Sequence, residues 1–226
     1  MTTKASCIIP VYNEADRVSR VLDIVVGHEL VDEVIVVDDG STDNSRAILV
    51  NHSGIRLISY ARNRGKSFAI MSGIQEAKND IIMLVDSDLV GLHDANITSL
   101  ISPVVENRAD IAISLRKNSL LIYKILGLDF VSGERVFHKN IIEDIGALAC
   151  LSGYGLEVFL NGIIIKKHLR LKVVWWGDVI SPRKSKKLGW WQGIKGDWNM
   201  IMQILSTLTV SDILYQMYKM RTLRVR

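Results

Sequence analysis

The stretch IIMLVDSDLV, residues 81–90, places five apolar residues directly before Asp86-Ser87-Asp88. An unbroken apolar run of this length is typical of a strand that is covered on both faces of its sheet. Two carboxylates would then leave the end of that strand one residue apart. A solvated turn is the ordinary interpretation of an isolated D-x-D. Here the strand has no polar residue, and no basic residue lies nearby in sequence to neutralise the pair.

The rest of the first 115 residues follows the same plan, with apolar runs separated by amphipathic segments. Strands are predicted over residues 6–10, 33–37, 55–59, 81–85 and 111–114. Helices are predicted over residues 14–26, 42–50, 66–77 and 97–106. Strands that alternate with helices predict right-handed crossovers and a mostly parallel sheet, whose ligands bind at the carboxyl ends of the strands. The acids that follow these strands are Glu14, Asp38, Asp39, Asp86 and Asp88.

The second half of the chain is less regular. Residues 132–137 predict a short strand, residue 155 begins or continues a helix, and residues 171–176 predict another strand. We therefore expect one α/β domain over residues 1–189, built as a mostly parallel, Rossmann-like sheet flanked by helices. Residues 190–226 are expected to form an amphipathic helical extension that contacts a membrane surface or a second subunit. An oligomer is compatible with the second alternative.

Composition narrows the class of protein. A hydrophobic content of 48% and a charged content of 23% are ordinary for a globular domain. Two distant cysteines give neither a disulfide framework nor a zinc-binding spacing. Without a signal-length or membrane-spanning apolar run, we expect a cytoplasmic protein, peripheral on the inner face of the membrane if it binds one.

Charge is distributed unevenly along the chain. Residues 166–226 hold 13 basic and three acidic residues, a net charge of +10, whereas the first 165 residues hold 15 and 21, a net charge of −6. A basic C-terminal third predicts an anionic partner there, such as phosphate groups or a lipid surface. Basic residues interleaved with aromatic ones in a known nucleic-acid-binding module are missing, so no nucleic-acid partner is expected.

The acidic pairs themselves predict a metal ion. Like charges that crowd together raise each other's pKa unless a cation lies between them. Mg²⁺ or Mn²⁺ is the natural cation for oxygen ligands, and Mg²⁺ prefers one or two carboxylates together with substrate phosphates. Asp86 and Asp88 are the predicted metal ligands, in a site that holds a diphosphate.

Four stretches carry a resemblance to a known family. IIPVYNEADRV, EVIVVDDGSTDNS, ARNRGKSFAIMSGI and IIMLVDSDL resemble, in order, the signature stretches of family 2 inverting glycosyltransferases with the GT-A fold. The resemblance implies a nucleotide-sugar donor, a divalent metal and displacement at the anomeric carbon. It assigns a donor-binding set that comprises Pro10, Tyr12, Glu14, Asp39, Asn63, Lys66, Asp86 and Ser87, with Asp88 as a catalytic residue on the metal.

The second half resembles the polyprenyl- or dolichyl-phosphate mannose synthase group within that family. The segments that carry this resemblance are DFVSGERVF at residues 129–137, GYGLE at residues 153–157 and the basic segment at residues 183–189. The resemblance implies Arg135 and Arg183 as catalytic residues that steer a lipid phosphate. The implied acceptor-phosphate set is Arg116, Ser132, Arg135 and Lys187.

The chain departs from the group's pattern at four places. Glu134 stands where the group has an aromatic residue, Val90 stands where it has glutamine, and Ser114-Leu115-Arg116 replaces Gly-Ser-Arg. The basic segment at residues 183–189 is shorter than in the group. These departures bear on the sugar and the lipid more than on the type of reaction. The sequence also lacks the Glu-Asp pair that relatives acting on hydroxyl acceptors carry late in the chain as their general base. This absence agrees with a phosphate acceptor, because a phosphomonoester is already an anion and needs no general base.

We therefore predict a metal-dependent inverting hexosyltransferase that uses a GDP- or UDP-hexose and a polyprenyl phosphate (dolichyl or undecaprenyl), in the assembly of a cell-envelope glycan. Two alternatives remain open. The same donor chemistry would serve a soluble acceptor, and Val90 and Glu134 would suit an inactive partner subunit that only binds the nucleotide sugar.

Overall fold

The computed structural model describes residues 4–181 and 209–225. The strands are β1 Ala5–Val11, β2 Val31–Asp38, β3 Arg56–Ser59, β4 Ile81–Leu84, β5 Ile111–Arg116, β6 Arg135–His138 and β7 Leu171–Trp176. The α-helices are α1 Val18–Val25, α2 Ser45–Val50, α3 Lys66–Glu76, α4 Asp94–Val105, α5 Leu121–Leu126, α6 Gly155–Lys166 and α7 Val210–Thr222. Two 3₁₀ segments, Lys139–Ile141 and Ile145–Cys150, precede α6.

The strands form one seven-stranded sheet in the order β3-β2-β1-β4-β6-β5-β7. Every neighbouring pair is parallel except those made by β6, which runs antiparallel to both β4 and β5. The predicted mostly parallel α/β sheet with flanking helices is therefore confirmed. β6 is the exception to the parallel plan, and it begins at Arg135, three residues later than the predicted strand.

Helices cover both faces of this sheet, which explains the continuous apolar runs. In β4, Ile82 and Leu84 pack into a core formed with α3, α6 and α7, whereas Ile81 and Met83 pack into a core formed with α1 and α4. No residue of β4 meets water, so no polar residue alternates along the strand.

The end of the chain packs on the domain. Met220 of α7 is fully buried in the core that also contains α6, and the Val225 N–H donates to the Leu171 carbonyl at 2.9 Å beside β7. The predicted boundary at residue 190 lies outside the described residues. Among the residues that are described, none of the helices has both the length and the apolar character that crossing a bilayer requires.

Candidate active site

A cavity of about 370 Å³ opens where the carboxyl ends of β1, β2 and β4 lie side by side. All nine side chains predicted for donor and metal binding line it: Pro10, Tyr12, Glu14, Asp39, Asn63, Lys66, Asp86, Ser87 and Asp88. Val11, Gly65 and Ala69 complete the lining and were absent from the predicted set. The structure thus brings these residues together, while their individual roles stay predictions.

Asp39 connects the end of β2 to the start of α3. Its two carboxylate oxygens accept hydrogen bonds from the backbone N–H groups of Arg64 and Gly65, at 2.9 and 2.8 Å. Burial raises the pKa of Asp39, and the two N–H groups partly offset that rise. These bonds hold the first turn of α3 against the cavity, so that the positive end of the helix faces the space where a phosphate would bind. Each oxygen keeps a second lone pair for a ligand.

The turn after β2 requires glycine. Gly40 has φ +72°, and a Cβ at this position would lie 2.4 Å from the carbonyl carbon of Arg62. The close contact between these two backbones keeps the loop that carries Asn63 at the edge of the cavity.

The turn after β1 is fixed by the turn after β2. The Glu14 N–H donates to Ser45 Oγ at 2.9 Å, and the Thr42 N–H donates to Asn13 Oδ1 at 2.8 Å. Glu14 also pairs with Arg17 at 2.5 Å. Tyr12, just before these anchored positions, stays 41% exposed at the mouth of the cavity, where its ring is free to pack against a flat base.

The negative charge of Asp86 is already neutralised by the positively charged side chain of Lys66. Lys66 Nζ lies 2.8 Å from Asp86 Oδ1 and 3.3 Å from Glu157 Oε1, and Arg116 Nη1 lies 4.0 Å from Asp86 Oδ2. Burial alone would raise the pKa of Asp86, but the charges of Lys66 and Arg116 lower it below its ordinary value. No basic residue lies near Asp86 in sequence, but folding brings Lys66 next to it from 20 positions earlier, so Asp86 has a cationic partner that the local sequence does not show.

Asp88 has a different environment. Its Oδ2 accepts a hydrogen bond from Ser181 Oγ at 2.9 Å, and among the described residues it forms no ion pair. Burial raises its pKa to about 6, and the negative charges of Asp86 and Glu14 add to that rise. Ser181, which follows β7 and orients this carboxylate, was not singled out by the sequence analysis.

The residues present fit a divalent ion that also binds a substrate. No cluster of three or more histidine, cysteine, aspartate or glutamate side chains suited to a metal occurs in residues 4–181 and 209–225. A cage made by the protein alone is therefore missing from that part of the chain. Asp88, with a pKa raised to about 6 and no cationic partner there, is the carboxylate that a cation would stabilise. One or two carboxylates completed by substrate phosphates match the preference of Mg²⁺.

Arg116 and Ser132, two residues of the predicted acceptor-phosphate set, belong to a buried charge network that the sequence did not reveal. Glu134 is fully buried, its Oε1 pairs with Arg116 Nη1 at 2.9 Å, and its Oε2 accepts from Ser114 Oγ at 2.6 Å and Ser132 Oγ at 3.0 Å. Ser132 is fully buried as well and is occupied by this carboxylate, so its predicted contact with an acceptor phosphate is not present in this arrangement. The replacement of an aromatic residue by Glu134 was the signal that could have indicated the network.

Arg135 points into the protein interior instead of the cavity. It is fully buried, and its guanidinium donates to the carbonyls of Ser132 and Phe130 and to Asn161 Oδ1, at 2.8, 2.9 and 2.8 Å. A fully buried guanidinium whose three nitrogens each already donate a hydrogen bond does not contact a substrate in this arrangement. The predicted role of Arg135 on the acceptor phosphate therefore disagrees with its position, and Arg116 is the described arginine next to Asp86. Arg183 and Lys187 lie outside the described residues.

Replacing Lys66 by methionine is expected to destabilise the protein by about 1–3 kcal/mol. The change leaves Asp86 and Glu157 without their cation. Because 35% of the lysine side chain is exposed, the cost falls below that of a fully buried pair. The measurement is urea unfolding at pH 7. Lys167→Met is the matched control, since its partner Glu143 is exposed at the surface and loss of that pair should cost little stability.

The stability difference caused by Lys66→Met should depend on pH in a defined direction. The pKa of Asp86 is lowered, so its contribution is present above the ordinary value of 3.8 and is lost as the pH falls through its folded value. Burial would lower the pKa of Lys66, but the carboxylates of Asp86 and Glu157 raise it, so its contribution is complete below 10.5. The difference between the two proteins should therefore be largest between about pH 4 and pH 10. An equal difference at pH 3 and pH 7 would contradict the ion pair.

Comparison with known proteins gives the chain a family and a fold. The sequence model of the family described as "Glycosyl transferase family 2" matches residues 6–120. A dolichyl-phosphate beta-glucosyltransferase from Trichomonas vaginalis is 32% identical over an alignment of 147 positions that covers 54% of this chain and 44% of that protein. A dodecaprenyl-phosphate galacturonate synthase from Rhizobium johnstonii is 23% identical over an alignment of 231 positions that covers 90% of this chain and 66% of that protein.

The solved structure of glucosyl-3-phosphoglycerate synthase from Mycobacterium tuberculosis, in complex with Mn²⁺, UDP and glucosyl-3-phosphoglycerate, superposes with a TM-score of 0.69 at 23% identity. The match covers 90% of this chain and 79% of that one. At this identity the likeness shows the fold alone, and it confirms the predicted GT-A fold. The chain spans less than two thirds of the length of either curated relative.

Proposed function

The chain belongs to glycosyl transferase family 2, and on that premise we propose that it transfers a hexose, with inversion, from a nucleotide diphosphate to a polyprenyl phosphate. One observation carries the proposal. The nine side chains expected to bind donor and metal, drawn from four separate stretches of sequence, line a single cavity. Chance placement of such distant residues would scatter them over the surface.

The donor would bind across the carboxyl ends of β1 and β2. Tyr12 would pack against the base, and Asp39 would accept hydrogen bonds from the base or ribose through its remaining lone pairs. The first turn of α3 would direct backbone N–H groups at the diphosphate. Asp88, together with Asp86, would hold Mg²⁺ or Mn²⁺, which when bound supplies positive charge that stabilises the departing nucleotide diphosphate.

The acceptor phosphate would approach from the side of β5. An oxygen of this phosphate forms the new bond to the anomeric carbon as the bond to the nucleotide diphosphate breaks. Arg116 supports this placement, because its Nε is buried and has no hydrogen-bond partner among the described residues. Arg183 and Lys187 remain predicted contributors to the same anion site. The names of the two curated relatives, a dolichyl-phosphate and a dodecaprenyl-phosphate enzyme, support a polyprenyl phosphate.

A soluble phosphate acceptor is the second candidate, and one observation favours it. The structural neighbour from Mycobacterium tuberculosis was crystallised with a sugar-phosphoglycerate, so the same fold accommodates a small acceptor.

A transfer assay decides between these acceptors and tests the proposal. Purified full-length protein is incubated with radiolabelled UDP- and GDP-hexoses, Mn²⁺ or Mg²⁺, and either polyprenyl phosphate in detergent or a panel of small phosphates. We expect labelled lipid with one donor and none after removal of the metal with EDTA. Transfer to a small phosphate but not to the lipid would favour the second candidate. Donor binding without any transfer would leave the chain as an inactive, nucleotide-sugar-binding subunit.

A further inference from the structure

Exposed apolar side chains are concentrated on two helices. Nine large hydrophobic side chains of the described residues are exposed, and six of them lie on α5 and α7. Their exposed fractions run from 52% to 71%. The six are Leu121, Ile122 and Ile125 on α5 and Leu214, Tyr215 and Tyr218 on α7. Single exposed apolar residues are normal on a soluble protein, whereas clusters mark an interaction site.

The two helices form one surface. Tyr123 of α5 and Met220 of α7 are buried in the same core, so both helices cover the same face of the sheet. Arg224, just after α7, donates to the carbonyl of Leu126 at the end of α5, at 3.2 Å. We call these two helices, with the residues that flank them, the α5–α7 surface. Helix α5 begins five residues beyond Arg116, and Lys124 Nζ of this helix donates to the carbonyl of Lys117 at 2.8 Å, so the surface starts next to the proposed acceptor side.

The charge of this surface is strongly positive. Residues 117–126 and 209–225 contain five basic residues and one acid, a net charge of +4. The basic residues are Lys117, Lys124, Lys219, Arg221 and Arg224. The single acid, Asp212, caps the start of α7 through Thr209. Apolar side chains surrounded by basic ones, with tyrosines among them, are the composition that favours the surface of an anionic membrane.

We infer that the α5–α7 surface rests on an anionic lipid bilayer and presents the acceptor side of the cavity to that membrane. The inference rests on the proposed polyprenyl-phosphate acceptor, which is itself a membrane lipid. A second copy of the chain is a poorer occupant, because a two-fold interface would bring two surfaces of charge +4 together.

Vesicle co-sedimentation of the full chain tests the inference. Vesicles of phosphatidylcholine with phosphatidylglycerol are compared with vesicles of phosphatidylcholine alone. The double variant Leu121→Ser/Ile125→Ser should bind anionic vesicles at least about tenfold more weakly than the wild-type protein, because two apolar side chains no longer enter the membrane interface. The matched control is Val50→Ser on α2, whose side chain is 66% exposed outside this surface and whose change should leave binding unaltered.

A charge variant makes the test independent of the apolar one. Lys124→Glu/Arg221→Glu should remove the preference for anionic over neutral vesicles, and raised salt should have the same effect on the wild-type protein. Circular dichroism of each variant verifies folding. Wild-type binding in either surface variant would overturn the inference. A wild-type dimer that the variants dissociate would also overturn it, by making this surface an interface between copies.

Transfer in detergent separates this inference from the proposed function. Both surface variants should transfer sugar to detergent-dispersed polyprenyl phosphate at the wild-type rate, because none of the changed residues lines the cavity. Transfer in detergent without vesicle binding would reject the membrane surface and keep the function. Vesicle binding without transfer by the wild-type protein would do the reverse.

Discussion

Asp88→Ala is expected to lower sugar transfer by about 10³-fold or more while the protein stays folded. Asp88 forms no ion pair among the described residues, and it lacks the two backbone N–H donors that offset the charge of Asp39, so it is the group on which binding of the proposed metal depends most. Loss of the metal removes the charge that stabilises the leaving diphosphate, an electrostatic effect of this order in other enzymes. The measurement is the initial rate of transfer at saturating donor and Mn²⁺.

The melting temperature of Asp88→Ala provides a second, independent measurement of metal and nucleotide binding. Mn²⁺ with a nucleoside diphosphate should raise the melting temperature of the wild-type protein and should have little effect on Asp88→Ala, since a ligand stabilises only the protein that binds it. Asp23→Asn is the matched control, because this carboxylate is 71% exposed on α1 and its change should alter neither rate nor melting temperature. Undiminished transfer by Asp88→Ala would refute the metal role.

The isosteric variant Asp88→Asn should show the cost of this charge directly. Burial raises the pKa of Asp88 to about 6 from an ordinary value of 3.8, so the folded state holds the proton more tightly than the unfolded state. The ionised carboxylate therefore opposes folding above about pH 6 and has no effect below about pH 4. In metal-free protein, Asp88→Asn should raise the free energy of unfolding at pH 8 and leave it unchanged near pH 3.5. Equal stability at pH 8 would contradict the raised pKa.

The sequence predicted the donor half of the site because that half depends on local signals. Each acid follows an apolar run, and the carboxyl ends of parallel strands meet at one edge, so Asp39 and Asp86 had to lie near each other. The bounds of β7 and the start of α3 were also predicted to the residue. The six-residue α5 was missed, since so short a helix shows no apolar periodicity.

The acceptor half was harder to predict for a physical reason. β6 lies between β4 and β5, and helices cover both faces of the sheet. Side chains that point to either face of β6 are therefore equally buried. Such a strand shows no alternation of polar and apolar residues, so its sequence does not indicate to which face the Arg135 side chain points. Likewise, the partners of Lys66 lie 20 and 91 positions away, and no local pattern relates them.

Arg135→Met is expected to destabilise the protein by about 3–5 kcal/mol, which corresponds to a fall in melting temperature of about 6–20 °C. The change keeps an unbranched apolar stem and removes three hydrogen bonds, leaving Asn161 Oδ1 and the Ser132 carbonyl buried without this donor, while the Phe130 carbonyl still accepts from Asn161 Nδ2. It also removes a positive charge that faces Glu157, Asp129 and Glu134 in the interior. The measurement is urea unfolding at pH 7, with the slope of the transition checked for two-state behaviour.

Arg170→Met is the control variant. It shows how much stability is lost when a paired arginine at the surface, instead of a buried one, is removed. Arg170 pairs with Asp110 at 2.8 Å but is 44% exposed, so its removal should cost much less stability than the removal of Arg135. If Arg135→Met matched this surface control in stability and instead lost transfer, the guanidinium would have to act on the acceptor, as the motif alone suggested. If it lost stability while the folded fraction still transferred sugar, Arg135 would hold β6 and α6 together through Asn161, and the acceptor phosphate would depend on other cations.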